Sequence, residues 1–245
     1  MPRWRKHGST SKFNEFCIYL IQSTFSLGNY TYKILNILDV FEFKIWKKKH
    51  FGKILTFYSR NKLYSSLMDE LSYLTSNKSN VNIYEFGVAF GELTMHITEN
   101  AKFKYKYNGF DTFIGLPNSW RGLPKGAFSA GNTLPISTGG NISFHVGLIE
   151  DTVSSVDFKS DNINLFIFDL DLYAPTLFTY KFIRKNIKKS DILIFDEAFT
   201  ADERIIIENY FFRDFNYKVI ASTPFAIAFK VEEVLLNSIP SYNSR

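Results

Sequence analysis

Residues Val81-Asn-Ile-Tyr-Glu-Phe-Gly-Val-Ala-Phe-Gly-Glu-Leu-Thr94 form an apolar run that ends in acid-x-Gly-x-x-x-Gly and passes straight into a helical pattern. This order reads as strand, tight turn and helix, the unit from which α/β sheets are built. Glu85 falls at the carboxyl end of the run, and Gly87 and Gly91 let backbone approach whatever lies across the turn. Open α/β sheets bind their ligands at this place. A dinucleotide fold would need G-x-G-x-x-G, so that a pyrophosphate can rest on the helix N-terminus; here Val88 and Ala89 come after Gly87 and the pattern is not met. An acid beside a glycine turn without a phosphate cradle suits a cofactor with a cationic amino-acid end and no phosphate, a description that S-adenosylmethionine meets. The alternative is a purely structural βα turn.

Downstream of this unit, strand and helix patterns alternate, the mark of a parallel sheet covered on both faces. Residues 105–111, 142–147, 163–171 and 191–196 read as strands, and about 175–188 and 202–214 as helices. The last two strand patterns, 217–222 and 225–230, are joined only by Thr223-Pro224. That is too short for a helical crossover, so the two must be antiparallel. Upstream, residues 13–75 read as helical, with breaks near Gly28-Asn29 and His50-Phe-Gly52, after a basic, aperiodic start at 1–12. Leu63, Leu67, Leu71 and Leu74 mark one face of the helix at about 61–74, which should bury itself on the α/β region downstream. A polar linker at 76–80 then divides the chain into an N-terminal helical region (1–80, a cap or subunit interface), an α/β domain (81–237) and a loose tail (238–245).

Composition closes off several classes. Hydrophobic residues make up 45% and aromatics 18% of the 245 residues, which excludes global disorder. The net charge of +5 is spread along the chain, apart from Arg3-x-Arg5-Lys6 and Lys47-Lys48-Lys49, and no recognition motif accompanies it, so nucleic acid is not an expected partner. Phe41, Phe43, Ile45 and Trp46 among lysines make a basic amphipathic stretch. Of its two readings, packing on its own domain is preferred to peripheral contact with an anionic membrane. A single cysteine, Cys17, excludes an intramolecular disulfide framework and a cysteine-based zinc site, and is consistent with a reducing cytoplasm. No apolar run reaches the roughly 18 residues that span a bilayer, and a soluble cytoplasmic protein is expected.

Chemistry-bearing residues gather at the strand ends. Asp111 lies 24 residues beyond Gly87, near the offset at which an acid in such folds reaches ribose hydroxyls; its plain alternative is a helix cap before Thr112. Asp169-Leu-Asp171 closes one strand pattern and Asp196-Glu197 the next, and adjacent parallel strands bring such ends above one cleft. Converging carboxylates repel one another unless a cation sits between them, which points to an oxygen-liganded ion such as Mg²⁺. His145 falls in mid-strand, and no G-x-S-x-G elbow is present, so a hydrolase triad gains no support. A connection of about thirty residues leaves Asp111 and includes Thr112 to Phe128, Gly131 and Gly139-Gly140. Connections of that length are usually lids or binding loops, and Trp120, Arg121 and Lys125 are expected to meet an acceptor unless the insertion merely seals itself to the domain through Phe113 and Trp120.

Glu85-Phe-Gly-Val-Ala-Phe-Gly91, then Gly109-Phe-Asp-Thr-Phe-Ile-Gly-Leu-Pro117 with Trp120-Arg121 and Pro124-Lys-Gly-Ala-Phe128, then Asp169-Leu-Asp-Leu-Tyr-Ala-Pro-Thr176 and Phe195-Asp-Glu197 together resemble class I S-adenosylmethionine-dependent methyltransferases. More narrowly they are similar to the macrocin O-methyltransferase-like group, over about 81–230. The resemblance implies a Rossmann-like fold, with a seven-stranded, mostly parallel sheet of order 3-2-1-4-5-7-6, helices on both faces and an N-terminal helical appendage. It implies that Glu85, Gly87, Ala89 and Gly91 line the methionine end of the cofactor. Asp111 and Thr112 would take the ribose, Phe113, Gly147 and Leu148 would lie near the adenine, and Asp169 would sit close by. It also implies a magnesium ion on Asp169, Asp196 and Glu197, where the last position is commonly aspartate. Asp169, Asp171 and Asp196 would be the catalytic acids, and Trp120, Arg121, Lys125 and Tyr173 the acceptor residues. The histidine base that such enzymes carry after the Gly-Leu-Pro turn has no counterpart here. Methyl transfer to an oxygen of a sugar or related small metabolite by a homodimeric enzyme is the expectation. The alternatives are a metal-independent N-methyltransferase and a non-catalytic cofactor-binding or scaffold subunit.

Overall fold

The computed structural model describes residues 30–75, 80–135 and 141–235. The sequence readings for 1–29, including Cys17, for 76–79, for Gly139-Gly140 and for the tail at 238–245 lie outside the described residues. Among the described residues two helices come first, α1 (Tyr30–Phe51) and α2 (Arg60–Leu74), separated at the expected break. After them come β1 (Val81–Phe86), α3 (Glu92–Asn100), β2 (Tyr105–Asp111), β3 (Ile142–Val146), the short α4 (Ile149–Thr152) and β4 (Ile163–Phe168). The chain continues with α5 (Tyr173–Ile183), β5 (Ile192–Phe195) and α6 (Ala201–Ile206), which runs into a π-helical turn at Ile207–Phe211, and ends with β6 (Phe215–Ser222) and β7 (Ile227–Val234). Among the described residues no helix is long and apolar enough to cross a membrane.

One seven-stranded sheet has the order β3-β2-β1-β4-β5-β7-β6. β1, β2, β3, β4 and β5 pair in parallel, and β7 runs antiparallel to both β5 and β6. The expected closing hairpin is thus present. Its turn is fixed by the Thr223 hydroxyl, which accepts from the backbone N–H of Phe225 (3.1 Å) and Ala226 (2.9 Å). Boundaries shift where the sequence pattern outruns the ladder: β4 stops at Phe168, so Asp169 and Asp171 stand on the loop beyond it.

Side chains alternate across a strand, and the sequence uses that alternation to build two different layers. Tyr84, Phe86, Phe166, Phe168, Phe195 and Phe229 point to one face and form an aromatic layer with α1, α5 and α6. Ile83, Leu165, Ile167, Ile192 and Ile194 point to the other and pack under Leu63, Leu67 and Leu71 of α2. The leucine face read from the sequence is therefore buried as expected. Truncating one of these leucines to alanine would remove about 2–5 kcal/mol. α1 splits the amphipathic stretch: Phe43 is buried and Trp46 packs against the aromatic layer, whereas Phe41 and Ile45 face outward. Lys47 is buried with them. Its Nζ donates to the Thr223 carbonyl (2.6 Å) and the Ser222 hydroxyl (3.2 Å), and burial, helped by Lys44, pulls its pKa down to about 7.

Candidate active site

A cleft of about 610 Å³ opens at the carboxyl ends of β1, β2 and β4, within the size range of small-molecule sites. On its β1–β2 side the glycine turn is set by close packing. Gly87 has φ +93°, and a Cβ there would lie 1.8 Å from the carbonyl oxygen of Asp169, so the crossing from β1 to β4 requires glycine. Gly91, at φ +75°, meets Pro135 in the same way. What lies across from both glycines is this chain itself, although Gly87 also lines the cleft. The Asp111 carboxylate holds the turn from the other flank. Its Oδ2 accepts from the N–H of Val88 (2.7 Å) and Ala89 (2.8 Å), and its Oδ1 from the N–H of Phe113 (2.6 Å).

Glu85 is buried in the cleft floor and accepts a short hydrogen bond from the Tyr107 hydroxyl, which in turn accepts from Thr94 (2.8 Å). Burial pushes the Glu85 carboxyl up to about 8; the Tyr107 bond opposes the rise and Asp196 adds to it. Thr112, Gly147 and Leu148 line the cleft. Phe113 does not. It is buried edge-on against Phe144 (ring centroids 5.8 Å apart), because a left-handed backbone at φ +56° turns it into the sheet edge. The adenine-side expectation for that residue is corrected accordingly.

On the β4–β5 side the acids converge. Carboxylate oxygens of Asp169, Asp171 and Glu197 lie within 4.8 Å of one another. Asp171 adopts φ +61°, a left-handed conformation that aspartate tolerates better than most residues, and this bend returns its side chain toward Asp169. Asp196 differs from the expected ligand set. It is fully buried, and its Oδ2 pairs with the Arg60 guanidinium at the start of α2, which draws it away from the triad. Although the three triad acids keep some surface toward the cleft, protein surrounds them closely. Burial, reinforced by the neighbouring carboxylates, raises Asp169 and Glu197 well above the carboxylate range and Asp171 to about 7. Glu203 stands behind them, raised by the same causes, and accepts from the Glu197 N–H (3.1 Å). Oδ1 of Asp196, Oε2 of Glu197 and Oε1 of Glu203 are buried and make no hydrogen bond. A cluster of hard oxygen donors with unsatisfied lone pairs fits an Mg²⁺-type cation.

The acceptor residues expected in the long loop do not line the cleft. Trp120 is buried with Leu116 and Leu123. Arg121 pairs with Asp39 and donates to Asn36 (3.0 Å), tying the loop to α1. Lys125 is exposed and Tyr173 half-buried, both outside the cleft lining. Phe113 and Trp120 seal the loop to the domain, while other residues of the same loop face the cleft. In place of the expected acceptor residues the wall is made by Pro117, Asn118 and Phe128 of the same loop, by Phe199 and Phe225, and by Asn36, Arg60 and Tyr64 from the N-terminal helices. Those last three were not foreseen. Arg60 begins the helix whose leucine repeat is plain, yet nothing local signals that its guanidinium reaches β5. His145, as expected, is a rim residue, stacked on Phe110 at 4.5 Å and bonded to Asn108.

No family model matches the chain, and no curated protein matches it in sequence. Solved structures do share its fold. The O-methyltransferase NovP is similar at 14% identity over 70% of this chain and 80% of its own, with a TM-score of 0.50. The Podospora anserina methyltransferase PaMTH1, bound to S-adenosylhomocysteine, is similar at 12% identity over 93% of this chain and 100% of its own, with a TM-score of 0.46. The architecture is the Rossmann-like methyltransferase fold, with the strand order expected.

Proposed function

We propose that the chain is an S-adenosylmethionine-dependent methyltransferase that acts on an oxygen of a small metabolite, a sugar or a related compound, with assistance from Mg²⁺. The observation that carries this reading is the pairing, across one cleft, of Glu85 and the Asp111-held turn with the Asp169, Asp171 and Glu197 triad. The likeness of its fold to NovP, named an O-methyltransferase, supports it.

When bound, the cofactor supplies a methyl group activated on a sulfonium, so the protein's work is alignment and exclusion of water. Glu85 is placed to receive the cationic amino-acid end. Both lone pairs of Asp111 Oδ2 are spent on Val88 and Ala89, and Oδ1 keeps one for a ribose hydroxyl, fewer than the two-oxygen contact the sequence suggests. Gly147 and Leu148 would flank the base. Phe128, Phe199, Phe225 and Leu172 surround the acceptor side with apolar surface that keeps water from the path of transfer. Asp169, Asp171 and Glu197 would hold the magnesium ion, which would lower the pKa of the acceptor hydroxyl. Among the described residues no histidine lines the cleft, so the hydroxyl proton passes to a carboxylate of the cluster.

Calorimetric titration with S-adenosylhomocysteine, in Mg²⁺ and in chelator, tests the reading. Micromolar binding is expected, together with a separate Mg²⁺ heat that Asp171→Asn and Glu197→Gln abolish. A folded sample that binds no S-adenosylhomocysteine would sink the proposal; binding without any metal-dependent heat would leave the cofactor and transfer the acceptor to the metal-independent class.

A further inference from the structure

Among the described residues, Asn36 is what α1 contributes to the cleft lining, and only 3% of it is exposed. A buried amide calls for partners at both of its ends. Its Oδ1 accepts from Nη2 of Arg121 (3.0 Å), which settles which end of the amide is which. Nδ2 is the end left to offer to the cleft, and among the described residues it has no partner. A grip on Arg121 does not account for this residue type. Asp39, one turn along the same face of α1, already holds the guanidinium with a full charge. A carboxylate at position 36 would hold it more strongly still; what an amide adds is a donor.

The surroundings say what that donor meets. The Arg121 guanidinium lies over the Phe199 ring (5.8 Å to its centroid), so Asn36 belongs to the side of the cleft where Phe128, Phe199, Phe225 and Leu172 make an apolar wall. In such a wall a single polar group fixes the orientation of what binds. A neutral amide N–H takes an oxygen lone pair, from a hydroxyl or a carbonyl. A phosphate has no place beside it: Glu92 and Glu150 join the five acids already described in the lining, and among the described residues Arg60, paired with Asp196, is the one cation there. We propose that Asn36 is a specificity-determining residue, whose Nδ2 donates to an uncharged oxygen of the acceptor other than the one methylated, and that the acceptor carries no phosphate. Arg121 and Asp39 are the positioning residues that hold the amide. The inference rests on the methyl-transfer reading and names the acceptor chemistry of that same site.

The test follows transfer of the tritiated methyl group of S-adenosylmethionine, in Mg²⁺, to methyl glycosides of glucose, rhamnose and xylose, and to glucose 1-phosphate and UDP-glucose. Transfer to at least one neutral glycoside is expected, and none to the phosphates. Asn36→Asp keeps an oxygen for Arg121 and turns the donor into an acceptor. Its KM for that glycoside should rise about tenfold or more, while kcat and the calorimetric affinity for S-adenosylhomocysteine stay within about threefold, because the lost bond is made equally in ground and transition states. Asn36→Ala, which drops both ends of the amide, should show the same split, so the result does not hang on one variant. With the parent, one deoxy analogue of the glycoside should lose as much in KM, and Asn36→Ala should add little to that loss. Unchanged KM in both variants, losses that add for every deoxy analogue, or transfer to phosphorylated sugars alone or to none of the five acceptors would each overturn the proposal. A folded sample that binds no S-adenosylhomocysteine marks the other failure, that of the methyl-transfer reading itself.

Discussion

The two sides of the cleft stand on one sheet edge and are satisfied to opposite degrees. On the β1–β2 side, Asp111 accepts three backbone N–H groups, Glu85 accepts from Tyr107, and the glycine turn fits against the Asp169 carbonyl. On the β4–β5 side, Asp196, Glu197 and Glu203 each bury an oxygen that makes no hydrogen bond. Each such atom costs about 1–3 kcal/mol. Three of them together, among acids whose pKa values are all raised, are a standing burden on the fold, and a cation held by Asp169, Asp171 and Glu197 would relieve the part of it that falls on Glu197. The first side is completed by folding. The second keeps oxygens that folding leaves unpaired.

Asp169→Asn should give the largest effect and the sharpest division. It removes a triad charge and leaves the backbone carbonyl beside Gly87 in place, so kcat should fall about 10³-fold, roughly 4 kcal/mol, while affinity for S-adenosylhomocysteine stays within threefold. Methyl-transfer kinetics and calorimetry on the same sample measure the two; an equal loss in both would erase the contrast between the sides.

Gly87→Ala attacks the finished side. A Cβ at 1.8 Å from a carbonyl oxygen, at φ +93°, forces β1 from β4. A loss of about 3 kcal/mol, or a Tm lower by about 6–12 °C, is expected in thermal denaturation. A variant that melts with the parent would show that the turn is not built by close packing.

Glu85→Gln is read through its dependence on pH. Glu85 titrates near 8 in the folded chain and near 4.5 when unfolded, so the folded state holds the extra proton and stability falls as pH rises between those values. Glutamine has no such proton to lose. The Tm of the variant should gain on the parent from about pH 4.5 to 8 and keep a constant lead above that. A variant less stable than the parent at pH 9 would mean that the Tyr107 bond outweighs the burial of the charge.

The fold was legible because its signals are local. The change from helical to alternating rhythm at Val81, the two-residue link at Thr223-Pro224 and the leucine face of α2 each specify their element without reference to distant residues. Glu85, Asp169, Asp171 and Glu197 were legible because a parallel sheet collects its strand ends. The errors concern partners far along the chain. That Arg60 takes Asp196, that Arg121 turns to Asp39 and that Phe113 folds under the sheet edge each depends on a contact no periodicity encodes. Tyr64 and Asn36 entered the cleft wall for the same reason: the N-terminal helices reveal their apolar faces but not where along the sheet they dock.

The clamp that Asp111 places on Val88 and Ala89 also bears on time. A binding loop that must find its shape around each arriving molecule slows capture, and differences between ligands then appear in both directions of the exchange. Here the turn has already given up its freedom when the chain folds. Capture of the proposed cofactor should therefore run at the pace of diffusion into an open mouth, and related ligands should differ in how long they stay rather than in how fast they enter.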